Sequence, residues 1–212
     1  MNTLMTSSSA GYACLNDLTA PGKSIYSARW DCHFIDRRMY GPNSSETSWG
    51  MRLRQVLVEL DCLGADDMIW FTGTDLLVTN HRINVFKLIH AKADMLISVD
   101  HHRSSAHWEA NNDSYVVRNT ASVRRFLKNV LAMSQSVVND QIAFGVQMER
   151  TKGFRVQKVD QTVMNSYPMH WFGRAGQSGD WKTGHLALHA AGAPNMNWRI
   201  KLLKETLPKV KK

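Results

Sequence analysis

The sequence predicts a single α/β domain over residues 1–212, in which helices cover both faces of a central β-sheet. Segments typical of strands and of helices alternate along the chain. A chain of 212 residues is long enough for one substantial hydrophobic core and short for two domains. Polar side chains follow several of the apolar segments, and in such sheets ligands bind beyond the carboxyl ends of the strands. The sequence therefore also indicates a ligand site at one edge of the sheet.

The first part of the chain is predicted to contain three strands and two helices. We expect the strands at residues 1–6, 32–35 and 68–71, and the helices at residues 23–30 and 49–63. Pro21 and Gly22 are predicted to break the chain before the first helix. The second helix is amphipathic, because its apolar residues fall at i, i+3, i+4 and i+7, namely Leu53, Val56, Leu57 and Leu60. Polar loops are expected at residues 6–9 and 41–48.

The second part is predicted to contain two more strands and three more helices. The strands are expected at residues 95–99 and 115–117, and the helices at about 120–131, from about 139 onward, and at about 198–207. Asn119 or Thr120 is placed to cap the first of these helices. Pro208 is expected to end the last one.

The formal net charge of +8 favours an anionic partner such as a nucleic acid, a membrane surface or a phosphorylated small molecule. The lysines and arginines are scattered, and the dense basic run lies at residues 201–212. We expect this run to be a tail or a linker into a further domain. The charge by itself predicts an anion and does not specify a nucleic acid.

Cysteine usage and hydropathy predict a cytoplasmic protein that does not insert into a membrane. Cys14, Cys32 and Cys62 lack CxxC spacing and are odd in number, so we expect free thiols in a reducing compartment. The sequence has no window of about eighteen apolar residues. Its start has neither the basic nor the apolar part of a signal peptide.

Polar groups at the ends of the predicted strands form the candidate site. They are Thr6–Ser9, Asp36, Thr74, Asp75 and residues 100–102. Asp75 follows a buried strand, where an unpaired carboxylate is costly unless it meets a cation. A divalent cation bridging Asp75 to a diphosphate would satisfy that charge, since Mg²⁺ and Mn²⁺ prefer oxygen ligands. A turn aspartate that caps the next segment explains the residue equally well, and both interpretations stay open.

His189 follows a short apolar segment and precedes small residues, which leave room for close approach by a ligand or by backbone. A lone histidine is more often a satisfied polar residue than a metal ligand. From the residues alone, His189 therefore has both interpretations.

The order of these motifs resembles the GT-A glycosyltransferases, above all the retaining families 8 and 34, the glycogenin-like enzymes and the plant xylosyl- and galactosyltransferases. Residues 69–80 resemble the family segment Trp-Trp-Met-Asp-Ser-Asp-Ala-Leu-Phe-Thr-Asp, and residues 111–119 resemble Asn-Thr-Gly-Ser-Phe-Leu-Leu-Arg-Asn. Further similarities lie at residues 1–8, with a Thr-Ser-Ser loop, at 49–52, with Trp-Ala-Lys, and at 139–143, with Asp-Gln. The resemblance implies a GT-A, Rossmann-like mixed sheet flanked by helices.

The resemblance also implies a UDP-sugar donor and a Mn²⁺ or Mg²⁺ cofactor. The implied donor-binding residues are Thr6, Ser7, Ser8, Asp36, Arg52, Thr74, Asp75 and Asn111. Asp75 and His189 are the implied metal ligands, and Arg52 is the implied diphosphate contact. The chain departs from the family at Gly73, where the first aspartate of the metal motif is expected, and one carboxylate fewer should weaken metal binding.

On the reaction side, the resemblance implies that Asp140 holds donor-sugar hydroxyls and that Gln141 lies on the face opposite the leaving group. Gln141 is a poor nucleophile, so we expect it to stabilise charge. The anomeric configuration is expected to be retained. Asp100 and His101 are candidates for the acceptor side, with a solvated loop as the other interpretation.

The expected activity is transfer of a hexose or deoxyhexose, of glucose or rhamnose type, to a glycan acceptor. The resemblance extends to glycosyltransferases that large chlorella viruses encode for capsid glycans, which implies the host-cell cytosol. Two alternatives compete. Residues 97–102 resemble the Asp-His-His signature of manganese phosphoesterases, although their early His-x-x-x-Asp-x-Asp-Gly segment is absent. A nucleic-acid-binding module would need exposed aromatics among basic residues, whereas the tryptophans here lie beside apolar segments, so no nucleic-acid partner is expected.

Overall fold

A computed structural model describes residues 1–39, 48–99, 110–134, 140–168, 179–191, 193 and 195–211. The strands are β1 (Thr3–Ser9), β2 (His33–Met39), β3 (Met68–Thr72), β4 (Leu76–Val78), β5 (Met95–Val99), β6 (Ala110–Arg118), β7 (Val156–Asp160) and β8 (Ala187–His189). The helices are α1 (Ala13–Arg29), α2 (Ser48–Cys62), α3 (Ala121–Ser134), α4 (Asp140–Arg150), α5 (Gln161–Met164) and α6 (Met196–Thr206). Short 3₁₀ turns lie at Ala10–Tyr12, Val85–Lys87 and Leu207–Lys209.

Six strands form a mixed sheet in the order β2-β1-β3-β6-β5-β7. Strand β1 is parallel to β2 and β3, and β5 is parallel to β7, whereas β6 runs antiparallel to both β3 and β5. Strands β4 and β8 form a separate antiparallel pair. The predicted α/β class is confirmed.

Alternate residues of the central strands enter two apolar clusters on opposite faces of the sheet, as the two-residue period of a strand requires. Met5, Phe71 and Tyr115 belong to the cluster under α2, α3 and α4. Leu4 and Trp70 belong to the other cluster, together with Tyr26 of α1 and with Val85 and Phe86 of the 3₁₀ turn after β4. Burial on both faces explains why these strands read as continuous apolar runs.

The predicted break at Pro21 and Gly22 is wrong, because α1 continues through both residues to Arg29. A proline inside a helix typically costs about 3 kcal/mol. Here tertiary packing outweighs that cost. One side of the helix is buried, namely Leu15, Asn16, Thr19, Ala20, Lys23, Tyr26 and Ser27. Since four of these seven buried residues are polar, the spacing of apolar residues does not show the helical period, and this part of the helix could not be predicted from it.

Three strands are longer than predicted. The hydroxyl residues at 6–9 belong to β1 and do not form a loop, and Asp36 lies inside β2 and not at its end. Strand β6 begins at Ala110, well before the predicted start at Tyr115. Pairing with a neighbouring strand extends β1 and β2 through Ser9 and Met39, and pairing of Ala110 with Val99 of β5 extends β6, over polar residues that the apolar pattern leaves out.

The remaining predicted elements agree with the structure to within a few residues, namely α2, α3, α4, α6, β3 and β5, whereas β4, β7 and α5 were not predicted. Thr120 caps α3, with its Oγ1 accepting a hydrogen bond from the Val123 amide at 3.3 Å. The predicted polar loop at 41–48 lies almost entirely outside the described residues. Cys14, Cys32 and Cys62 are free thiols, as predicted. Within the described ranges, no helix is both long and apolar enough to cross a bilayer.

Candidate functional site

The reversed direction of β6 brings its first residues beside the end of β3 at one edge of the sheet. Thr72, the last residue of β3, pairs with Ser114 of β6. The pairing continues beyond the strand, where the Gly73 amide donates to the carbonyl of Asp113 at 2.7 Å. Residues that follow β3 therefore lie beside residues near the start of β6.

The β4–β8 pair adds the third segment. Leu76 pairs with His189, and the Ala190 amide donates to the carbonyl of Asp75 at 2.9 Å. Backbone hydrogen bonding thus places Asp75 and His189 side by side, although they are far apart in the sequence.

A cavity of about 260 Å³ opens at this edge. It is lined by Ser7, Ser9, Tyr12, Arg52, Thr74, Asp75, Asp113, His189, Ala191 and Arg199. Six of these residues were predicted for the site from sequence, and four were not. The cavity has a mixed lining of two carboxylates, one imidazole and two guanidinium groups.

Asp75 is 6% exposed and is held between two basic groups. Its Oδ1 lies 3.2 Å from Nε2 of His189, and its Oδ2 lies 2.6 Å from Nη1 of Arg199. Burial alone would raise the pKa of Asp75, but the charges of His189 and Arg199 hold that pKa well below its usual range. Asp75 is therefore ionised at neutral pH.

His189 is 1% exposed, and neither of its ring nitrogens makes a directed hydrogen bond to a described residue. The 3.2 Å contact with Asp75 is short enough for an ion pair but lacks hydrogen-bond geometry. Burial lowers the pKa of His189, yet the neighbouring Asp75 outweighs burial and raises it. A buried imidazole without a directed hydrogen-bond partner needs an explanation, and a bound ion is one.

Arg52 projects from α2 and bridges two carboxylates. Its Nη1 donates to Oδ1 of Asp113 at 2.9 Å, and its Nη2 donates to Oδ2 of Asp140 at 3.2 Å. Burial raises the pKa of Asp140, and the Arg52 charge opposes that shift. Arg52 thus connects the cavity to the start of α4.

Lys23 is a buried basic residue that hydrogen-bonds to backbone next to the cavity. The fully buried Nζ atom donates to Oγ1 of Thr6 at 2.9 Å and to the carbonyl of Gly73 at 2.8 Å. Thr19, one turn earlier on α1, donates to the carbonyl of Thr74 at 2.7 Å. Burial lowers the pKa of Lys23 to about 7, although Asp75 and two other carboxylates oppose the shift. The backbone before Asp75 is therefore fixed by side chains of α1.

The predicted residues of β1 and β2 lie behind and beside the cavity. Ser7 lines it and donates to Oε1 of Gln55 at 2.8 Å. Ser8 is buried at 2% exposure. Both carboxylate oxygens of Asp36 accept from Nδ2 of Asn16 at 2.9 Å.

Asn111 lies near the start of β6, and Gln141 contacts the same part of that strand. Asn111 donates to the hydroxyl of Tyr167, and its Oδ1 accepts from the Asp113 amide at 3.0 Å. The Nε2 atom of Gln141 donates to the carbonyl of Ala110 at 3.4 Å. Neither of these predicted residues is part of the cavity lining.

Asp100 and His101 lie outside the described residues, so their predicted acceptor role stays a prediction. The four lining residues that were not predicted from sequence are Tyr12, Asp113, Ala191 and Arg199. Ser9 was included in the hydroxyl run at residues 6–9, which was a usable signal. Arg199 had none, because it reaches the site from a helix with no motif.

The donor set formed by Asp75 and His189 fits a divalent cation. Octahedral ligands at roughly 2.1 Å from an ion lie about 3 Å from their neighbours, close to the 3.2 Å between Oδ1 and Nε2. A carboxylate suits Mn²⁺ or Mg²⁺, and a neutral imidazole is a common ligand of metal ions in general. In the described part of the chain, no three His, Cys, Asp or Glu side chains are already grouped as a complete ligand set.

A family model for nucleotide-diphospho-sugar transferases matches residues 36–201, more than three quarters of the chain. The chain belongs to the nucleotide-diphospho-sugar transferase family. The matched range contains Arg52, Asp75, His189 and Arg199, so it includes most of the cavity. The chain is thus a glycosyltransferase that uses nucleotide-sugars, and of the three functional hypotheses from sequence this match supports the first.

Solved structures agree on the fold. A glycosyltransferase involved in glycosylation of the major capsid of PBCV-1 is 11% identical, with a TM-score of 0.71 over 96% of this chain and 98% of that one. The galactosyltransferase LgtC is 13% identical, with a TM-score of 0.58 over 99% and 96%. The glycosyltransferase GlyE of Streptococcus pneumoniae is 11% identical, with a TM-score of 0.55 over 100% and 66%. No curated protein sequence matches significantly. The predicted GT-A fold is confirmed.

Proposed function

We propose that this nucleotide-diphospho-sugar transferase is metal-dependent and transfers a hexose or deoxyhexose, of glucose or rhamnose type, from a UDP-sugar to a glycan acceptor. The observation that carries the proposal is the 3.2 Å contact between Asp75 and His189 inside a cavity that also presents Arg52 and Arg199. A carboxylate–imidazole pair suits a cation, and two guanidinium groups suit a diphosphate.

The two arginines are proposed to bind the donor's diphosphate. Guanidinium groups form charge-assisted hydrogen bonds with phosphate oxygens in planar, bidentate geometry. Arg199 at present pairs with Asp75, and Arg52 pairs with Asp113 and Asp140, so each is already oriented by a carboxylate. Preorganised charges stabilise the leaving group without reorganisation cost during the reaction.

Asp75 and His189 are proposed to hold Mn²⁺ or Mg²⁺ when the donor binds. The cation would supply positive charge to the diphosphate as the sugar C1–O bond breaks. For His189 to act as a metal ligand, its Nε2 atom must be unprotonated. The backbone of His189 is held in place separately, because its amide donates to the Ser166 carbonyl at 2.8 Å.

The nucleoside part of the donor is proposed to contact Thr6, Ser7 and Ser8 of β1, Asp36 of β2, Thr74 and Asn111. Of these, Ser7 and Thr74 line the cavity. Asp36 is fixed by Asn16, which leaves further lone pairs on the carboxylate for ribose or base donors.

Asp140 and Gln141 are proposed to act on the transferred sugar. Asp140 is held by Arg52, so a carboxylate that accepts sugar hydroxyls and a guanidinium that binds the leaving group are coupled. Gln141 is proposed to face the oxocarbenium-like carbon and to stabilise its charge, with net retention of configuration. Asp100 and His101 are proposed for the acceptor side from sequence alone.

A role in viral capsid-protein glycan synthesis is the proposed biological setting, in the cytosol of a host cell. The fold similarity to the PBCV-1 capsid glycosyltransferase supports this setting. A growing glycan is the proposed acceptor class.

A screen of nucleotide-sugars for hydrolysis and transfer, with and without Mn²⁺, tests the proposal. We expect turnover with UDP-glucose or UDP-rhamnose, loss of turnover on chelation, and recovery when Mn²⁺ is restored. Product anomer, read by NMR, tests retention. Full activity in the presence of a chelator would contradict metal dependence, and turnover confined to GDP- or CMP-sugars would contradict the UDP assignment.

A further inference from the structure

The Asp113 carboxylate occupies the space beside Gly73, where the metal motif lacks its first carboxylate. A Cβ atom built on Gly73 would lie 3.1 Å from Oδ1 of Asp113 and 3.3 Å from both Cβ and Cγ of that residue. These distances are tighter than ordinary van der Waals contacts. Full side chains at both positions would therefore compete for one volume.

The strand pairing explains this proximity. Thr72 and Ser114 are paired, and the next residues outward are Gly73 and Asp113, joined by a 2.7 Å backbone hydrogen bond. Directly opposed residues of an antiparallel pair project their side chains on the same side. A side chain at 113 thus reaches the region that a side chain at 73 would fill. The family segments quoted above have an aspartate at the position that corresponds to Gly73 and a glycine at the position that corresponds to Asp113. Aspartate and glycine have therefore changed places between these two positions.

Asp113 also faces the proposed cation ligands. Its Oδ2 lies 3.6 Å from Nε2 of His189, and the same nitrogen lies 3.2 Å from Oδ1 of Asp75. The Nε2 atom of His189, which is buried and makes no directed hydrogen bond, is therefore close to two carboxylates, those of Asp75 and Asp113. The side chain of Asp113 is 30% exposed, so it has room to rotate, and Arg52 holds its other oxygen at 2.9 Å.

We propose that Asp113 binds the same divalent cation as Asp75 and His189 and replaces the carboxylate missing at position 73. The proposal rests on the metal-dependent function proposed above. The 3.6 Å contact exceeds the roughly 3 Å edge of an octahedral ligand sphere. Asp113 must therefore move by about half an ångström onto the ion, and this explains why the described residues hold no ready-formed set of three ligands.

A cycle of four proteins tests the exchange: wild type, Asp113→Gly, Gly73→Asp and the Gly73→Asp/Asp113→Gly double variant. The dissociation constant of Mn²⁺, added alone and with UDP, is measured by calorimetry on each folded protein. We expect Asp113→Gly to weaken Mn²⁺ binding about tenfold or more, because one anionic ligand is lost. The double variant should return to within about threefold of wild type. Gly73→Asp alone should melt at a lower temperature, since two side chains then share one volume.

Asp113→Asn serves as a second variant that preserves shape and removes charge, and it should weaken Mn²⁺ binding as Asp113→Gly does. Asp61→Asn, an exposed aspartate distant from the cavity, is the matched control. Wild-type Mn²⁺ affinity in both Asp113→Asn and Asp113→Gly would overturn the proposal. A folded double variant that binds Mn²⁺ no better than Asp113→Gly would also overturn it. If wild type itself binds no Mn²⁺ with UDP, the metal-dependent function is what fails.

Discussion

The Nε2 atom of His189 lies 3.2 Å from Oδ1 of Asp75 because strands β4 and β8 pair at that point. The distance is set by a backbone ladder and not by a loop, so the two proposed ligands are held together before any donor arrives. Pre-positioned ligands bind an ion with less loss of conformational freedom.

His189→Ala and Asp75→Asn should each abolish the stabilisation that Mn²⁺ and UDP give to the folded protein. A ligand at 100 times its dissociation constant stabilises by about 2.7 kcal/mol, so the wild-type melting temperature should rise clearly. Differential scanning fluorimetry with each ligand, alone and together, measures the effect. His90→Ala, at an exposed position, is the control. A wild-type shift in either site variant would remove that residue from the metal site.

Arg52→Lys should lower kcat roughly 10- to 100-fold, since a positioned charge donor to a leaving group contributes a few kcal/mol. Lysine keeps the charge but cannot bridge Asp113 and Asp140 with two nitrogens of one planar group. Steady-state kinetics with the active UDP-sugar measures the loss. Arg54→Lys on the exposed side of the same helix should have wild-type rates. Unchanged kcat in Arg52→Lys would assign Arg52 a purely structural role.

Gln141→Ala should reduce turnover more than it reduces affinity for UDP, because the residue is proposed to act on the sugar and not on the nucleotide. Its hydrogen bond to the Ala110 carbonyl is long, at 3.4 Å. Turnover and UDP affinity are measured on the same preparation, with Gln147→Ala of the same helix as the control. An equal loss of both quantities would instead make Gln141 a donor-positioning residue.

Lys23→Met should reduce the rise of stability with pH above neutrality. In the folded chain the pKa of Lys23 is about 7, against an ordinary value of 10.5. Between these values the unfolded chain binds more protons, so wild-type unfolding free energy increases with pH over that interval. Below about pH 7 both states carry the proton and the contribution is constant. Denaturant unfolding of both proteins at about pH 7 and pH 9.5 should show a smaller increase for Lys23→Met. Equal increases would mean that Lys23 does not titrate in this range.

Apolar periodicity predicted the elements whose buried sides are apolar. Helix α2 and strands β3 and β5 fall within a residue or two of their predicted bounds. Strand β7 was missed because its residues are partly exposed and alternate weakly. Most of α1 was missed because its buried side carries Asn16, Thr19 and Lys23.

The residues of the site also divide into those that an apolar segment marked in the sequence and those that it did not. Asp75 follows the apolar strand β3 and His189 is the last residue of the apolar strand β8, so their position in the chain marked them. Arg199 came from a helix with no motif, and its part in the site depends on how α6 packs against α1. Asp113 was hidden because the resemblance placed a glycine there, and only the pairing of β3 with β6 shows that it lies opposite Gly73.

The polar inner side of α1 limits how this protein can be engineered. Replacing Thr19 or Lys23 by leucine would increase the buried apolar surface, which by itself predicts a higher melting temperature. Those side chains, however, tether the carbonyls of Thr74 and Gly73, immediately before Asp75. Leucine at either position would leave one of these buried carbonyls without its hydrogen bond and would release the backbone that positions the proposed ligand Asp75. Substitutions that increase apolar burial along this helix are therefore expected to lower turnover.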